Sequence, residues 1–167
     1  MTRNLLLAGN FNMTNNDDLF RKLVELGQYP INQSDTITVL EKIGHFLDDE
    51  NDKLYEHYKN LGNSKVEITK LISENLSLEK VLMRAARDFD GGYAIGGLVG
   101  HGDAFVMRDP AGIRPAYYYI DDEVVVVASE RPVIQTIFNV RTDNVNELPP
   151  ASAIIIKASG ETTIEKI

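Results

Sequence analysis

The sequence predicts one α+β unit, because the spacing of its hydrophobic residues changes partway along the chain. Apolar residues recur at helical intervals through most of the first half, and from Gly91 onward they follow the spacing of strands separated by short turns. The 167 residues are enough for one domain with a core, and 43% hydrophobic with 25% charged residues is ordinary for a globular protein. The expected architecture is therefore helices packed on antiparallel strands.

The first half is predicted to contain one strand followed by helices. The strand runs from Leu5 to Gly9, and a loop rich in asparagine follows it. The stretch from Asn15 to Asp18 supplies the cap and the acidic first turn of a helix that ends near Gly27, and Ser34 with Asp35 caps the next helix. Helical spacing continues over 48–63, 68–76 and 78–87.

The second half is predicted to form an antiparallel meander, because short turns separate its strands. The predicted strands cover 93–99, 104–107, 116–119 and 123–128. The segment from Arg108 to Pro115 is expected to be a tight reversal between two of them, since Pro110 suits the second position of a turn and Gly112 its end. A short helix over 132–138 and a hairpin of 153–156 with 162–164 complete the unit.

The bulk composition excludes several classes of function. A net charge of −8 with no basic cluster argues against nucleic-acid binding. The absence of cysteine excludes disulfides, thiolate metal sites and iron–sulfur clusters within these residues. No apolar stretch approaches the roughly 20 residues that a membrane helix needs, and the amino terminus is not a convincing signal peptide. We therefore expect a cytoplasmic protein that binds neither nucleic acid nor membrane.

Three stretches resemble the glutaminase domain of the amidophosphoribosyltransferases, which are class II glutamine amidotransferases. The segment from Arg108 to Pro115 is similar to their RDPxGIRPL motif, and Asn10 to Asn15 is similar to their Asn-Gly-Asn-Leu-Thr-Asn stretch. Ser34-Asp35 resembles a Ser-Asp pair of the family. The resemblance spans essentially the whole chain and is strongest over 4–15 and 89–139.

The resemblance implies roles for three residues. Asn10 would be the side-chain donor of an oxyanion hole, and the backbone N–H of Phe11 would be its second donor. Phe11 stands where the family has glycine, and phenylalanine adopts a positive φ only at a cost. Asp35 would bind the α-amino group of glutamine, because a carboxylate is the natural partner of an ammonium.

Other family-like residues are assigned structural roles. Arg108, Asp109 and Arg114 are expected to brace their turn and the neighbouring strands, with no catalytic step. The glycines that follow Asp90 are expected to allow close packing at the entry to a strand. Ser129-Glu130 is expected to cap the helix that follows it.

Three further patterns indicate no ligand site. Asp121-Asp122 precedes its apolar strand, whereas the acidic pair of a phosphoribosyl diphosphate site follows one, so a hairpin turn is expected. His45, His57 and His101 have no second ligand at metal spacing and are expected on the surface or on helix faces. The paired glycines from Gly91 lack the helix that a dinucleotide-binding motif requires.

The nucleophile of the family is absent. Its members attack glutamine with an N-terminal cysteine and its own α-amino group, and this chain has neither a cysteine nor the family's upstream arginine. Thr2 could become terminal if Met1 were removed, but Leu5 to Gly9 matches an internal strand, so Thr2 would not occupy the nucleophile position. We expect residues 1–167 to form a single partial domain. Its fold would be an incomplete αββα sandwich of the N-terminal-nucleophile hydrolase type, inactive in isolation.

The parent enzyme implied by the resemblance transfers ammonia from glutamine to 5-phosphoribosyl diphosphate. The product would be phosphoribosylamine, the first committed intermediate of purine synthesis. No cofactor is expected in this segment, and magnesium would accompany the diphosphate in another domain. A truncated sandwich exposes apolar surface, so homo-oligomers are an expected possibility. The alternatives are a natural non-catalytic module that binds glutamine or a subunit, and another class II amidotransferase that makes glucosamine phosphate or asparagine.

Overall fold

The computed structural model describes all residues from Met1 to Ile167, in five helices and eight strands. The helices are α1 (Asn16–Glu25), α2 (Asp35–Asn60), α3 (Lys65–Asn75), α4 (Leu78–Ala86) and α5 (Arg131–Phe138). The first five strands are β1 (Leu5–Met13), β2 (Gly91–Val99), β3 (Ala104–Arg108), β4 (Tyr117–Ile120) and β5 (Val125–Ala128). The last three strands are β6 (Asn146–Glu147), β7 (Ser152–Ile156) and β8 (Thr162–Lys166).

The strands form two antiparallel sheets stacked between helices. The large sheet has the order β1-β2-β3-β7-β8, and the small sheet has the order β5-β4-β6. A main core of 18 buried residues includes side chains from α1, α2, α4 and the large sheet, while a smaller cluster around Leu148 and Ile154 lies between the sheets. Helix α5 contacts β4 and β5 of the small sheet. The layers are therefore helix, sheet, sheet and helix, which confirms the predicted α+β sandwich.

Local signals set the first residues of α2 and α3, and the predicted cap at Ser34 is confirmed. Ser34 caps α2 by accepting the Ile37 N–H, and Ser64 and Glu67 form a reciprocal capping box at α3. Helical spacing through the charged stretch merges with the preceding segment, so α2 is one helix of 26 residues. Lysine and aspartate four residues apart pair on its exposed face, as in Lys53–Asp49 at 2.8 Å.

The predicted meander is wrong at the segment from Arg108 to Pro115. Strand β3 pairs with β7, and β4 leaves for the small sheet, where it pairs with β5 and β6. The segment is therefore a crossover between two sheets and not a hairpin. The turn residues do reverse the chain locally, since the Gly112 N–H donates to the Asp109 carbonyl, but the identity of each strand's partner depends on distant residues.

The expected bracing by Arg108 and Asp109 is confirmed. The Arg108 guanidinium is 5% exposed and donates to the carbonyls of Gly112, Arg114 and Leu148 at 2.6–3.0 Å. Glu147 of the small sheet accepts a further bond from it at 2.7 Å. One buried cation thereby ties the crossover to both sheets. The same prediction for the charge of Arg114 is wrong, because its backbone carbonyl and N–H take part while the buried Nε of its side chain has no hydrogen-bond partner.

Asp109 is fully buried and gathers backbone amides. Its carboxylate accepts the N–H groups of Ile113 at 2.8 Å, Arg114 at 2.9 Å and Tyr93 at 3.3 Å. Burial by itself raises the pKa of the Asp109 carboxyl, but these hydrogen bonds and one from Ala111 outweigh it, so the pKa lies below its ordinary value. The carboxylate is therefore held ionised inside the crossover.

Other sequence expectations have mixed outcomes. Asp121 accepts the N–H groups of Glu123 and Val124, which confirms the hairpin turn between β4 and β5. A Cβ on Gly91 would lie 2.1 Å from the Asn12 carbonyl oxygen, and one on Gly92 would lie 2.8 Å from the Ile113 side chain, in line with the close packing expected of these two glycines. The surface assignment of His101 is wrong, because its side chain is 6% exposed.

Candidate functional site

Asn10 lies inside β1, and the prediction of a loop at this position is wrong. The strand continues through Met13 because each residue up to that point pairs with β2, with Asn10 opposite Ala94. The side chain of Asn10 lies on the face of the large sheet that is turned toward the small sheet. There it lines a cleft of about 300 Å³, together with Ala94, Gly96, Val106, Pro115, Ala116, Val127, Ala128 and Ser129.

The backbone N–H of Phe11 points to the free edge of the large sheet. The Gly100 N–H donates to the Asn4 carbonyl and the Thr14 N–H donates to the Asp90 carbonyl, so the even-numbered residues of β1 form the hydrogen-bonded pairs with β2. The odd-numbered residues therefore direct their N–H groups away from β2, and β1 has no other neighbouring strand. This leaves the Phe11 N–H beside the Asn10 side chain.

The expected backbone cost at Phe11 does not arise. Asn139 and Ala151 are the non-glycine residues with positive φ, and Phe11 continues the regular strand. Its side chain packs against the main core on the helix side of the sheet. Phenylalanine is compatible here because β1 needs no left-handed residue at this point.

Asp35 sits at the first turn of α2, against the far end of β1. Its Oδ2 accepts the Met13 N–H at 2.8 Å, while Oδ1 accepts no hydrogen bond from the chain. Met13 lies three residues beyond Asn10, about 10 Å along an extended strand. The structure therefore brings Asn10, Phe11 and Asp35 to one end of β1. The Oδ1 atom of Asp35 is free to accept a hydrogen bond from a ligand.

A network of side chains holds this end of β1 in place. Asn15 donates to the Asp88 carbonyl at 2.8 Å and accepts the Asp90 N–H at 3.3 Å, so it does not cap α1 as predicted. Thr14 donates to the Asp90 carboxylate at 2.7 Å. These bonds tie the segment after β1 to the segment before β2. Asn15 does not cap α1 because its side chain is already bonded to the backbone of Asp88 and Asp90.

Lys42 is a buried cation that the sequence interpretation missed. Its side chain is 4% exposed, and Nζ lies 3.0 Å from the Asp88 carboxylate and over the Phe89 ring. Burial lowers the pKa of Lys42, while the hydrogen bond to Asp88 and its negative charge act in the opposite direction. The same hydrogen bond lowers the pKa of Asp88. The sequence feature that could have revealed this buried cation is a lysine placed between Val39 and Ile43 on the apolar face of α2.

Ser129-Glu130 does not cap α5 with a side chain, so that prediction is wrong. Glu130 occupies the capping position without a side-chain hydrogen bond, and Ser129 lines the cleft that contains Asn10. Thr2 lies at the opposite end of β1 from Asn10. It is 9% exposed, and its carbonyl accepts the side chain of Asn51 in α2.

No protein-family profile matches the chain. A protein of Methanothermobacter thermautotrophicus that carries a provisional glutamine amidotransferase assignment is 29% identical over 114 residues. The match covers 66% of this chain and 33% of that relative. The chain therefore corresponds to about a third of the length of the curated protein that it matches.

Two solved structures share the fold of the whole chain. The glutamine phosphoribosylpyrophosphate amidotransferase of B. subtilis, complexed with ADP and GMP, aligns over 97% of this chain and 29% of its own, at 21% identity and a TM-score of 0.65. An allosteric regulatory enzyme of purine biosynthesis aligns over 97% of this chain and 28% of its own, at 21% identity and a TM-score of 0.64. None of the chain's helices has the length and apolarity to span a membrane. The chain has a glutamine amidotransferase-like fold of the N-terminal-nucleophile hydrolase type.

Proposed function

We propose that this chain is the later part of the glutaminase domain of an amidophosphoribosyltransferase. The observation that carries the proposal is the convergence of Asn10, Phe11 and Asp35 at one end of β1. A side-chain amide and a free backbone N–H can donate to one carbonyl oxygen, as an oxyanion hole requires. A partly free carboxylate at the end of the same strand can accept an ammonium group.

In this proposal the parent enzyme releases ammonia from glutamine and transfers it to 5-phosphoribosyl diphosphate. The name of the B. subtilis neighbour supports the phosphoribosyl branch of the class, as does the segment from Arg108 to Pro115. The name of the second neighbour supports a role in purine biosynthesis. We propose that the diphosphate and its magnesium bind in another part of the parent, as the resemblance to the family implies, and we assign this chain no cofactor.

The proposal of a partial domain is supported by the open face of β1. Leu6 is 69% exposed and Leu98 is 46% exposed on the side of the large sheet that the small sheet leaves uncovered. The aligned residues also make up less than a third of each solved neighbour. The nucleophile would come from outside these residues, since the chain contains no cysteine.

Titration of the isotope-labelled chain with L-glutamine tests the site. We expect saturable NMR shifts at the amides of Asn10, Phe11 and Asp35, with an affinity near millimolar. Asn10→Ala and Asp35→Asn should each weaken binding about three- to tenfold, because each removes one polar partner of the ligand. The controls Asn60→Ala and Asp143→Asn, at exposed positions, should leave the affinity unchanged. Absence of saturable shifts at the three amides contradicts the proposal.

An ammonia-release assay tests the placement of the nucleophile. The chain alone should release no ammonia from glutamine above the rate of a heat-denatured sample, because Thr2 is buried beside α2 and lies far from Asn10. Release that is abolished by Thr2→Ala would overturn both the partial-domain proposal and the exclusion of Thr2.

The second candidate is a non-catalytic module that binds glutamine or a partner subunit. The absence of a cysteine favours it as long as these residues act alone. The coding region distinguishes the two: a reading frame that places a mature N-terminal cysteine ahead of these residues supports the enzyme. A reading frame confined to them supports the module.

A further inference from the structure

The cleft between the two sheets contains two polar side chains in an otherwise apolar lining. Asn10 enters it from the large sheet and Ser129 from the end of β5 in the small sheet. Small or apolar residues form the remaining wall, among them Ala94, Val106 and Val127. A small concave site with few convergent polar groups is typical of a ligand pocket, and about 300 Å³ is at the lower end of the range for such pockets.

Ser129 is free to bind a ligand because it has no structural hydrogen bond. Its hydroxyl makes no bond to any other group of the chain, and the following helix begins without a side-chain cap. Pairing of Ala128 with Tyr117 fixes the end of β5. The backbone at Glu130 remains extended before α5 begins. Ser129 is thereby held at the exposed mouth of the cleft, facing the same space as Asn10.

We propose that Ser129 is a specificity-determining residue that recognises the carboxamide nitrogen of the bound amide, and this inference rests on the proposed function. In the proposed pose Asn10 and the Phe11 N–H donate to the carboxamide oxygen. The two N–H groups of the carboxamide then face the opposite wall, where an acceptor is needed. The Ser129 Oγ is the side-chain oxygen that this wall offers to the cleft. A hydroxyl can accept one of these N–H groups, which a ketone or a methyl group cannot supply.

A comparison of two ligands isolates the contact. 5-Oxo-L-norleucine has the same length as L-glutamine and keeps its side-chain oxygen, but a methyl group replaces the NH2. NMR titrations of wild type, Ser129→Ala, Ser129→Thr and Asn10→Ala with both ligands give eight dissociation constants. Ser159→Ala, in the exposed turn between β7 and β8, is the matched control, and thermal unfolding verifies that each variant folds.

Ser129→Ala should weaken L-glutamine binding about three- to tenfold, because it removes one hydrogen bond to the ligand. Binding of 5-oxo-L-norleucine should not change, because this ligand has no carboxamide N–H group for Ser129 to accept. Ser129→Thr should retain most of the glutamine affinity, and Asn10→Ala should weaken both ligands. If wild type binds glutamine and Ser129→Ala binds it equally well, or weakens both ligands alike, the role of Ser129 is wrong and the proposed function stands. If wild type binds neither ligand, both proposals are overturned.

Discussion

Replacing Asp109 with alanine is expected to lower the free energy of unfolding by about 3–5 kcal/mol. The substitution leaves the buried N–H groups of Tyr93, Ile113 and Arg114 without their acceptor. Each orphaned donor costs its desolvation penalty, and the crossover between the sheets loses its shape at the same time. Urea unfolding followed by circular dichroism measures the effect.

The control for this substitution is Asp122→Ala, at an exposed aspartate in the turn between β4 and β5. It should change the free energy of unfolding by no more than about 0.5 kcal/mol. Asp109→Asn should give an intermediate loss, since its amide oxygen still accepts while its NH2 cannot. A loss below about 1 kcal/mol for Asp109→Ala would contradict the central role of this carboxylate in the crossover.

The same carboxylate predicts a pH dependence of stability. The pKa of Asp109 is lower in the folded chain than in the unfolded one, so the unfolded chain binds more protons in acid. Its contribution is fully present above about pH 4 and is lost as the pH falls through the folded-state pKa. The free energy of unfolding should therefore decline less steeply below pH 4 in Asp109→Asn than in wild type.

Gly91→Ala is expected to destabilise the chain by about 2–5 kcal/mol. Gly91 has a φ of 141°, and an added Cβ would lie 2.1 Å from the carbonyl oxygen of Asn12. Relief of that overlap must separate β2 from the end of β1, where Met13 pairs with Gly91. Thermal unfolding should show the loss of stability, and hydrogen exchange should show reduced protection of the Met13 N–H, which donates to Asp35.

Gly44→Ala is the matched control for this substitution. Gly44 lies within α2, and an added Cβ would meet no atom within 4 Å. Alanine should raise the free energy of unfolding by about 0.5–1 kcal/mol, because it loses less backbone entropy in a helix than glycine does. If both substitutions destabilise the chain equally, close backbone packing is not what requires glycine at position 91.

Much of the fold was predictable because its signals are local. The caps at Ser34 and Ser64 and the apolar spacing on α2 and α4 act within a few residues, and the structure confirms those helices. The same reasoning predicted that the segments of β2 to β5 are strands. It did not predict which strands pair, because the residues after Arg108 are compatible with both a hairpin and a crossover. The pairing of β3 with the distant strand β7 is what excludes the hairpin.

The residues of the candidate site were also predictable only in part. Asn10 and Asp35 were found through a resemblance to a family, because no rule of spacing relates residues that are 25 positions apart. Lys42 was missed, and Ser129 was assigned a role in capping α5. A lysine on an apolar face and a serine before a helix have ordinary local interpretations, and the groups that they face come from elements distant in sequence.

The α+β class, the order of helices and strands, the excess of negative charge and the absence of a thiol nucleophile can all be read from the residues in chain order. The extension of β1 through Asn10, the free edge that the Phe11 N–H faces and the opening of Ser129 into the same cleft became visible in the folded chain alone. Periodicity and capping act within one or two turns of chain. The length of a strand, the direction of its amides and the shape of a cleft are set by the strand that pairs with it and by the layer that packs on it.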